Sequence, residues 1–167
     1  MQMVKPNERI TRYVDAVLTV PRGSLYSMSP PCLAFDRFLL GPALYFAPAQ
    51  PGHPDGRSSV VFAGFCIKLI CDHLGLGCKT GLPVVKRVPT TRRPVDQFEF
   101  KDVFMKERVV PFLQAVRLSP VSTSVEACVE ELAGIIKAGL GPLDTHFHTV
   151  ADGMTAWLQC WKLVNHQ

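Results

Sequence analysis

The sequence has no apolar run long enough to cross a bilayer: its longest, Val60 to Cys71, is about a dozen residues and holds Lys68, against the roughly 20 that a membrane helix needs. The opening residues, Met1-Gln2-Met3-Val4-Lys5-Pro6, lack the apolar core of a secretory leader. Cys-x-x-Cys pairs, a Gly-x-Ser-x-Gly elbow, internal repeats and low-complexity tracts are all missing. The six cysteines, at 32, 66, 71, 78, 128 and 160, follow no framework spacing. That argues against a disulfide scaffold and for reduced thiols in an intracellular compartment, cytoplasmic or nuclear.

What is present is a globular composition. Of 167 residues, 47% are hydrophobic and 19% charged, which excludes the disordered class. A single domain over 1–167 is expected, with 1–7 as a flexible tail and 47–57 and 89–94 as exposed loops. Most of the fourteen prolines fall before residue 121, so the front of the chain reads as loops and short strands. Residues 9–20 favour a strand by their β-branched content and stop at Pro21-Arg22-Gly23. Leu44-Tyr45-Phe46, 84–88 and 95–100 are further strand candidates, while Phe35, Phe38 and Leu39 fit one helical turn.

Val60–Leu74 is apolar nearly all round. With Ser58-Ser59 before it and Gly75 after, it reads as a buried helix. Gly64 inside that helix costs about 1 kcal/mol against alanine unless another backbone packs there. Residues 103–118 suit a short helix with Pro111 in its first turn. Toward the C-terminus, Thr123 and Glu126 fit a capping box, Val125, Cys128, Val129, Leu132, Ile135 and Ile136 form one apolar stripe, and Gly139 supplies a left-handed stop. A second stripe follows: Met154, Trp157, Leu158, Trp161 and Val164. The sum is an α+β expectation, with an antiparallel sheet from the first two-thirds packed on a buried central helix and a C-terminal helical hairpin.

Candidate chemistry is sparse. Cys66, Cys71, His73 and Cys78 are ligand-type residues within thirteen positions, but Cys66 and Cys71 lie five apart on a helix and point roughly 140° away from each other. They read better as small buried residues. His146 and His148 flank Phe147 in the expected interhelical loop, where an extended backbone would put both rings on one side. Cys160 or His166 would then be a third metal ligand. Gly75-Leu76-Gly77-Cys78-Lys79-Thr80-Gly81 lacks the glycine before lysine that a phosphate loop requires, so it reads as a turn. Glu130-Glu131 read as the wet face of their helix. No catalytic residue and no cofactor is assigned.

Charge is lopsided. Residues 1–117 hold sixteen Lys/Arg against nine Asp/Glu, a net of +7, and 118–167 hold two against five, a net of −3. The densest cationic segment is 86–93, with Lys86, Arg87, Arg92 and Arg93 and no acid. Lys101, Lys106 and Arg108 extend it, and Phe98 and Phe100 offer a stacking face. Such a front faces an anion: nucleic acid or an anionic membrane surface. Met154, Trp157, Leu158 and Trp161 are the candidate interface of a homo-oligomer. The expectation is therefore a non-enzymatic, self-associating binding or assembly protein, RNA-binding in character and of a type found among viral accessory and structural proteins. The alternatives are a small cysteine- or metal-dependent enzyme using His146 and His148, and an adaptor for a host or partner protein.

Overall fold

The structure, a computed structural model, describes residues 17–28, 33–47, 57–81 and 107–165. Five α-helices account for most of them: α1 (Arg37–Leu40), α2 (Arg57–His73), α3 (107–115), α4 (Val125–Gly139) and α5 (His146–Asn165), with a 3-10 turn at Gly41–Ala43 directly after α1. The helical hairpin of α4 and α5 is the main contact of the fold, and α2 and the 3-10 turn pack against α4.

Helix α4 forms where its local signals agree. Ser124 is extended and its hydroxyl accepts from Ala127 N at 3.2 Å, Glu126 stands in the first turn and Lys137 in the last. These placements cap the free amides and match the helix dipole at each end. The cap is thus one residue later than Thr123. Val125, Cys128, Val129, Leu132, Ala133 and Ile136 are all buried along one face. Gly139 is not a left-handed stop: among the described residues only Gly23 and Gly75 have positive φ. Its value is closeness, because the Phe112 ring lies where a Cβ would be. The helix closes instead on Leu140, whose amide donates to Ile136 O at 2.9 Å and whose side chain is fully buried.

Helix α2 does end at a glycine. Gly75, at φ +71, lets Leu76 N reach Cys71 O at 2.7 Å while Gly75 N turns to Asp72 O at 3.4 Å, the double closure of a Schellman motif. Ala63, Cys66, Ile67, Ile70 and Cys71 are buried in the core. The 17–28 segment crosses α2 at Gly64, where the backbone of Ser27 and Met28 occupies the space of a side chain. Glycine is needed at that crossing, and the helix accepts its weaker propensity in return.

The expected antiparallel sheet does not form among the described residues. Among the described residues no strand forms, and the one β-type pairing is an antiparallel bridge of Thr19 with Lys79, flanked by Val20 N to Cys78 O at 2.9 Å and Thr80 N to Leu18 O at 2.8 Å. The fold is mostly helical, not α+β. Leu44, Tyr45 and Phe46 form no strand and pack against the helical core. Proline and glycine density marked connectors that wrap helices, and those connectors need no sheet. The strand candidates at 84–88 and 95–100, residues 9–16, the tail 1–7 and the loop 89–94 lie outside the described residues. So does the 47–57 loop apart from its two ends.

One polar node ties the C-terminus of α2 to α4. His73 Nε2 meets Ser122 O at 2.9 Å, and Glu131 accepts from Ser119 N at 2.8 Å and from Ser122 Oγ at 2.5 Å. Glu131 is thus a staple between α4 and the 116–124 loop, not a freely solvated residue. The hydrogen bonds from Ser122 and Ser119 hold its carboxyl below the ordinary value, with His73 adding to the effect.

Two outcomes follow from these contacts. Gly64→Ala should destabilise the fold by about 1–3 kcal/mol, because the added carbon meets backbone that cannot rotate away; an unchanged urea midpoint would show that the crossing yields. The lowered Glu131 carboxyl makes its contribution full above its unfolded value near 4.5 and lost as pH falls through the lower folded value. The stability gap between the native chain and Glu131→Gln should therefore be flat at neutral pH and shrink on acidification. Denaturant titrations at several pH values check this, and a gap that widens below pH 4.5 would contradict it.

Candidate functional site

The densest convergence of polar groups lies on the C-terminal half of α2. Lys68 is 1% exposed, inside a helix that is otherwise apolar there. Its ammonium donates to Asp72 Oδ1 at 2.5 Å, one helical turn on, and to Pro21 O at 3.1 Å. Asp72 in turn accepts from Gly23 N through Oδ2 at 2.9 Å. Gly23 has φ +82, and Ser24 N returns to Pro21 O at 3.3 Å, so the Pro21–Ser24 turn offers one carbonyl and one amide to a single ion pair. Leu18 N donates to Thr80 Oγ1 at 2.8 Å and closes the same unit from the other side. The arrangement is a clamp: with two acceptors on a buried ammonium, Lys68 orients a loop and is not presented to a substrate.

A second cluster sits where α1 meets the end of α5. The Arg37 guanidinium lies 5.7 Å from the Phe38 ring and 5.5 Å from the Trp161 ring, and its Nη2 donates to Asn165 Oδ1 at 2.9 Å. Trp157 Nε1 donates to Gly41 O at 3.4 Å, and the two indoles are 6.2 Å apart. Phe38 is 85% exposed. A third feature is a small cleft lined by Tyr45, Ser59, Phe62, Cys66, Val150 and Met154. Burial pushes the Tyr45 phenol above its usual value, so it stays neutral and can donate. The cleft encloses about 10 Å³, room for about one water molecule and far short of a nucleotide.

The residues singled out from sequence are scattered differently. Lys86, Arg87, Arg92, Arg93, Lys101 and Lys106 lie outside the described residues, as do Phe98, Phe100, Cys32 and His166; Arg108 is exposed on α3. His146 and His148 belong to the first turn of α5, where positions two apart point roughly 160° away from each other, and Cys160 stands about 18 Å beyond His148 along the same helix. The three do not converge. Among the described residues no group of three or more His, Cys, Asp and Glu is placed to hold a metal ion. Cys66 is buried in apolar surroundings that push its thiol up to about 12. His73 is engaged by Ser122 O. Met154 and Leu158 lie in the core of the chain itself, while Trp157 and Trp161 are half-buried under α1 and the 3-10 turn. No helix among the described residues is long and apolar enough to cross a membrane.

The clamp was missed from sequence, although it left a signal: an oppositely charged pair four residues apart inside an apolar run. Its partners on the 17–28 segment left none. The asymmetry of buried ion pairs makes it testable. Asp72→Asn strands a buried ammonium and should cost about 3–5 kcal/mol, whereas Lys68→Met replaces the charge with volume and should stay within about 1–2 kcal/mol of the native chain. Equal losses in urea titrations would contradict the clamp.

Comparison with known proteins gives the assignment that geometry alone does not. The sequence matches the reversibly glycosylated polypeptide family over residues 1–166. It is 46% identical over 165 residues to UDP-arabinopyranose mutase 1 of Arabidopsis thaliana, covering 98% of this chain and 46% of that protein. It is 47% identical over 166 residues to a probable UDP-arabinopyranose mutase 1 of Pisum sativum, covering 99% of this chain and 46% of that protein. It is 44% identical over 165 residues to UDP-arabinopyranose mutase 1 of Oryza sativa subsp. japonica, covering 98% and 45%. The chain spans about half the length of the curated relatives it matches. These relatives are plant proteins named as enzymes, which overturns the expectation of a non-enzymatic, RNA-binding assembly protein of viral type. A cation-rich front signals affinity for phosphate without distinguishing a polymer from a small molecule. The chain belongs to the reversibly glycosylated polypeptide family.

Proposed function

We propose that this chain serves UDP-arabinopyranose mutase chemistry, binding a UDP-linked pentose and contributing a helical half to the protein that isomerises it. The observation that carries the reading is the 46% identity to a UDP-arabinopyranose mutase, spread over 98% of the chain. Charge supports it: a net of +7 over residues 1–117 suits the diphosphate of a nucleotide sugar as well as it suits nucleic acid. A mutase step leaves the formula of the sugar nucleotide unchanged, so it draws on no co-substrate. In this reading the helices provide a rigid support, because the described cleft is too small for a nucleotide sugar and the clamp is occupied by its own backbone. Five free cysteines among the described residues suit a reducing compartment, which we take to be the cytoplasm.

The test is direct. Calorimetry should show UDP-arabinopyranose and UDP binding, arabinose alone failing to bind, and affinity falling as salt rises. Chromatography of the sugar nucleotides should show a second UDP-arabinose isomer when the chain is incubated with UDP-arabinopyranose, alone or together with a full-length relative. Replacing Lys86, Arg87, Arg92 and Arg93 together by Ala should weaken binding at least ~10-fold, the loss of several charge-assisted phosphate contacts. No binding of either nucleotide, with the chain alone and in the mixture, would overturn the proposal.

A further inference from the structure

We propose that the 17–20 edge of the short ladder seats an extended segment from the part of the family protein that this chain does not match, docked by strand addition. This docking edge rests on the half-protein reading above and not on its ligand. Thr19 and Lys79 face each other as the narrow pair of an antiparallel ladder, because the bonds beside them run from Val20 N to Cys78 O and from Thr80 N to Leu18 O. In such a pair the N–H and C=O of both residues point outward, away from the facing segment. Among the described residues, none of those four groups has a hydrogen-bond partner. Thr19 and Lys79 are both exposed. Each edge of the ladder therefore offers a donor and an acceptor to a further strand.

The two edges are not equivalent. Lys79 stands between Gly77 and Gly81, both with open space where a side chain would be. Lysine blunts an edge against pairing, and glycine weakens a strand. The other edge carries Val17, Leu18 and Thr19, with no charge before Arg22 and with side chains that suit a strand. Val17 is 58% exposed and Leu18 62%. Leu18 shares a face with Cys78, which packs on the core, so that face is left uncovered at its Leu18 end. Val17 stands on the opposite face. A segment added here is held by the Thr19 backbone and meets an apolar side chain on each face, so apolar residues on both of its own faces suit it. The relatives supply such an occupant: the match covers 46% of the Arabidopsis thaliana protein and 46% of the Pisum sativum one, which leaves more than half of each to pack against this part.

The full chain is co-produced with the unmatched portion of the Arabidopsis protein as a separate polypeptide. In a second arm it is mixed with short overlapping peptides from that portion, which need no fold of their own. Amide hydrogen exchange is then read residue by residue. With the partner bound, the Thr19 amide should slow at least ~10-fold, the mark of a new backbone hydrogen bond, while the Lys79 amide keeps its rate. Thr19→Pro removes the outward donor and neither ladder bond, so it should weaken association at least ~10-fold, whereas Lys79→Pro should not. If circular dichroism shows that either variant has lost its helices, the amides of the native chain alone decide. The proposal is overturned by slowing at Lys79 in place of Thr19, by slowing at Thr19 that grows with the concentration of the chain alone, or by no slowing in either arm. A complex that protects Thr19 but binds no UDP leaves the docking edge standing and removes the proposed ligand; UDP binding without protection of Thr19 does the reverse.

Discussion

A single buried cation organises the front of this protein. An ammonium inside an apolar helix is too costly to leave unpaired, so Lys68 must find anionic and carbonyl partners within reach of its own stem. Asp72, one turn away, supplies the charge, and the Pro21 carbonyl completes the shell. The second oxygen of Asp72 then fixes Gly23 N. Once that turn is held, the 17–28 segment has little freedom. It runs back across α2 at Gly64 and forward into the short ladder with 78–80. A sheet is unnecessary, because the ion pair does what strand pairing would otherwise do, which is to fix an irregular segment against a helix.

The helices were legible in the sequence because their signals are local. The α2 boundary at Gly75 joins an apolar run to a stop residue, the α4 stripe starts within one residue of its expected cap, and the α5 stripe rests on periodicity alone. The sheet was misread because β-branched residues and proline-bounded runs are a weak indicator: they mark segments that fit an extended surface, whatever that surface is. Thr19 and Val20 do make β-type bonds, but to one short neighbour. Gly139 and Gly64 show the same limit from another side. A glycine is equally compatible with a turn and with a close approach, and only the third dimension tells that Phe112 or Met28 stands there.

The site residues were harder to read for a related reason. His146 and His148 looked like a pair because an extended backbone brings alternate residues to one side. Asp144 instead accepts from the His146 amide at 2.8 Å and starts α5 there, which sends the two rings apart. Lys68 was noticed as a flaw in an apolar run, when its partner four residues on and the Pro21 carbonyl fix it in place. Chemistry carried by pairs within one helix can be found by spacing. Chemistry carried between a helix and a distant turn cannot, since Pro21 and Lys68 stand 47 positions apart and the sequence between them holds no trace of the contact.

Function follows a similar logic of scale. Positive charge near hydroxyls and aromatics is a description of phosphate affinity, and phosphate occurs on polymers, membranes and sugar nucleotides alike. Composition therefore limits the class of ligand without choosing its size. Kinship with UDP-arabinopyranose mutases is what makes a sugar nucleotide the reading proposed above. Among the described residues the cleft beside Tyr45 is too small for a nucleotide, and the clamp is filled by its own backbone. The Lys68 clamp holds the 21–24 turn against α2, and the Leu18–Thr80 bond ties the adjoining backbone to the same unit.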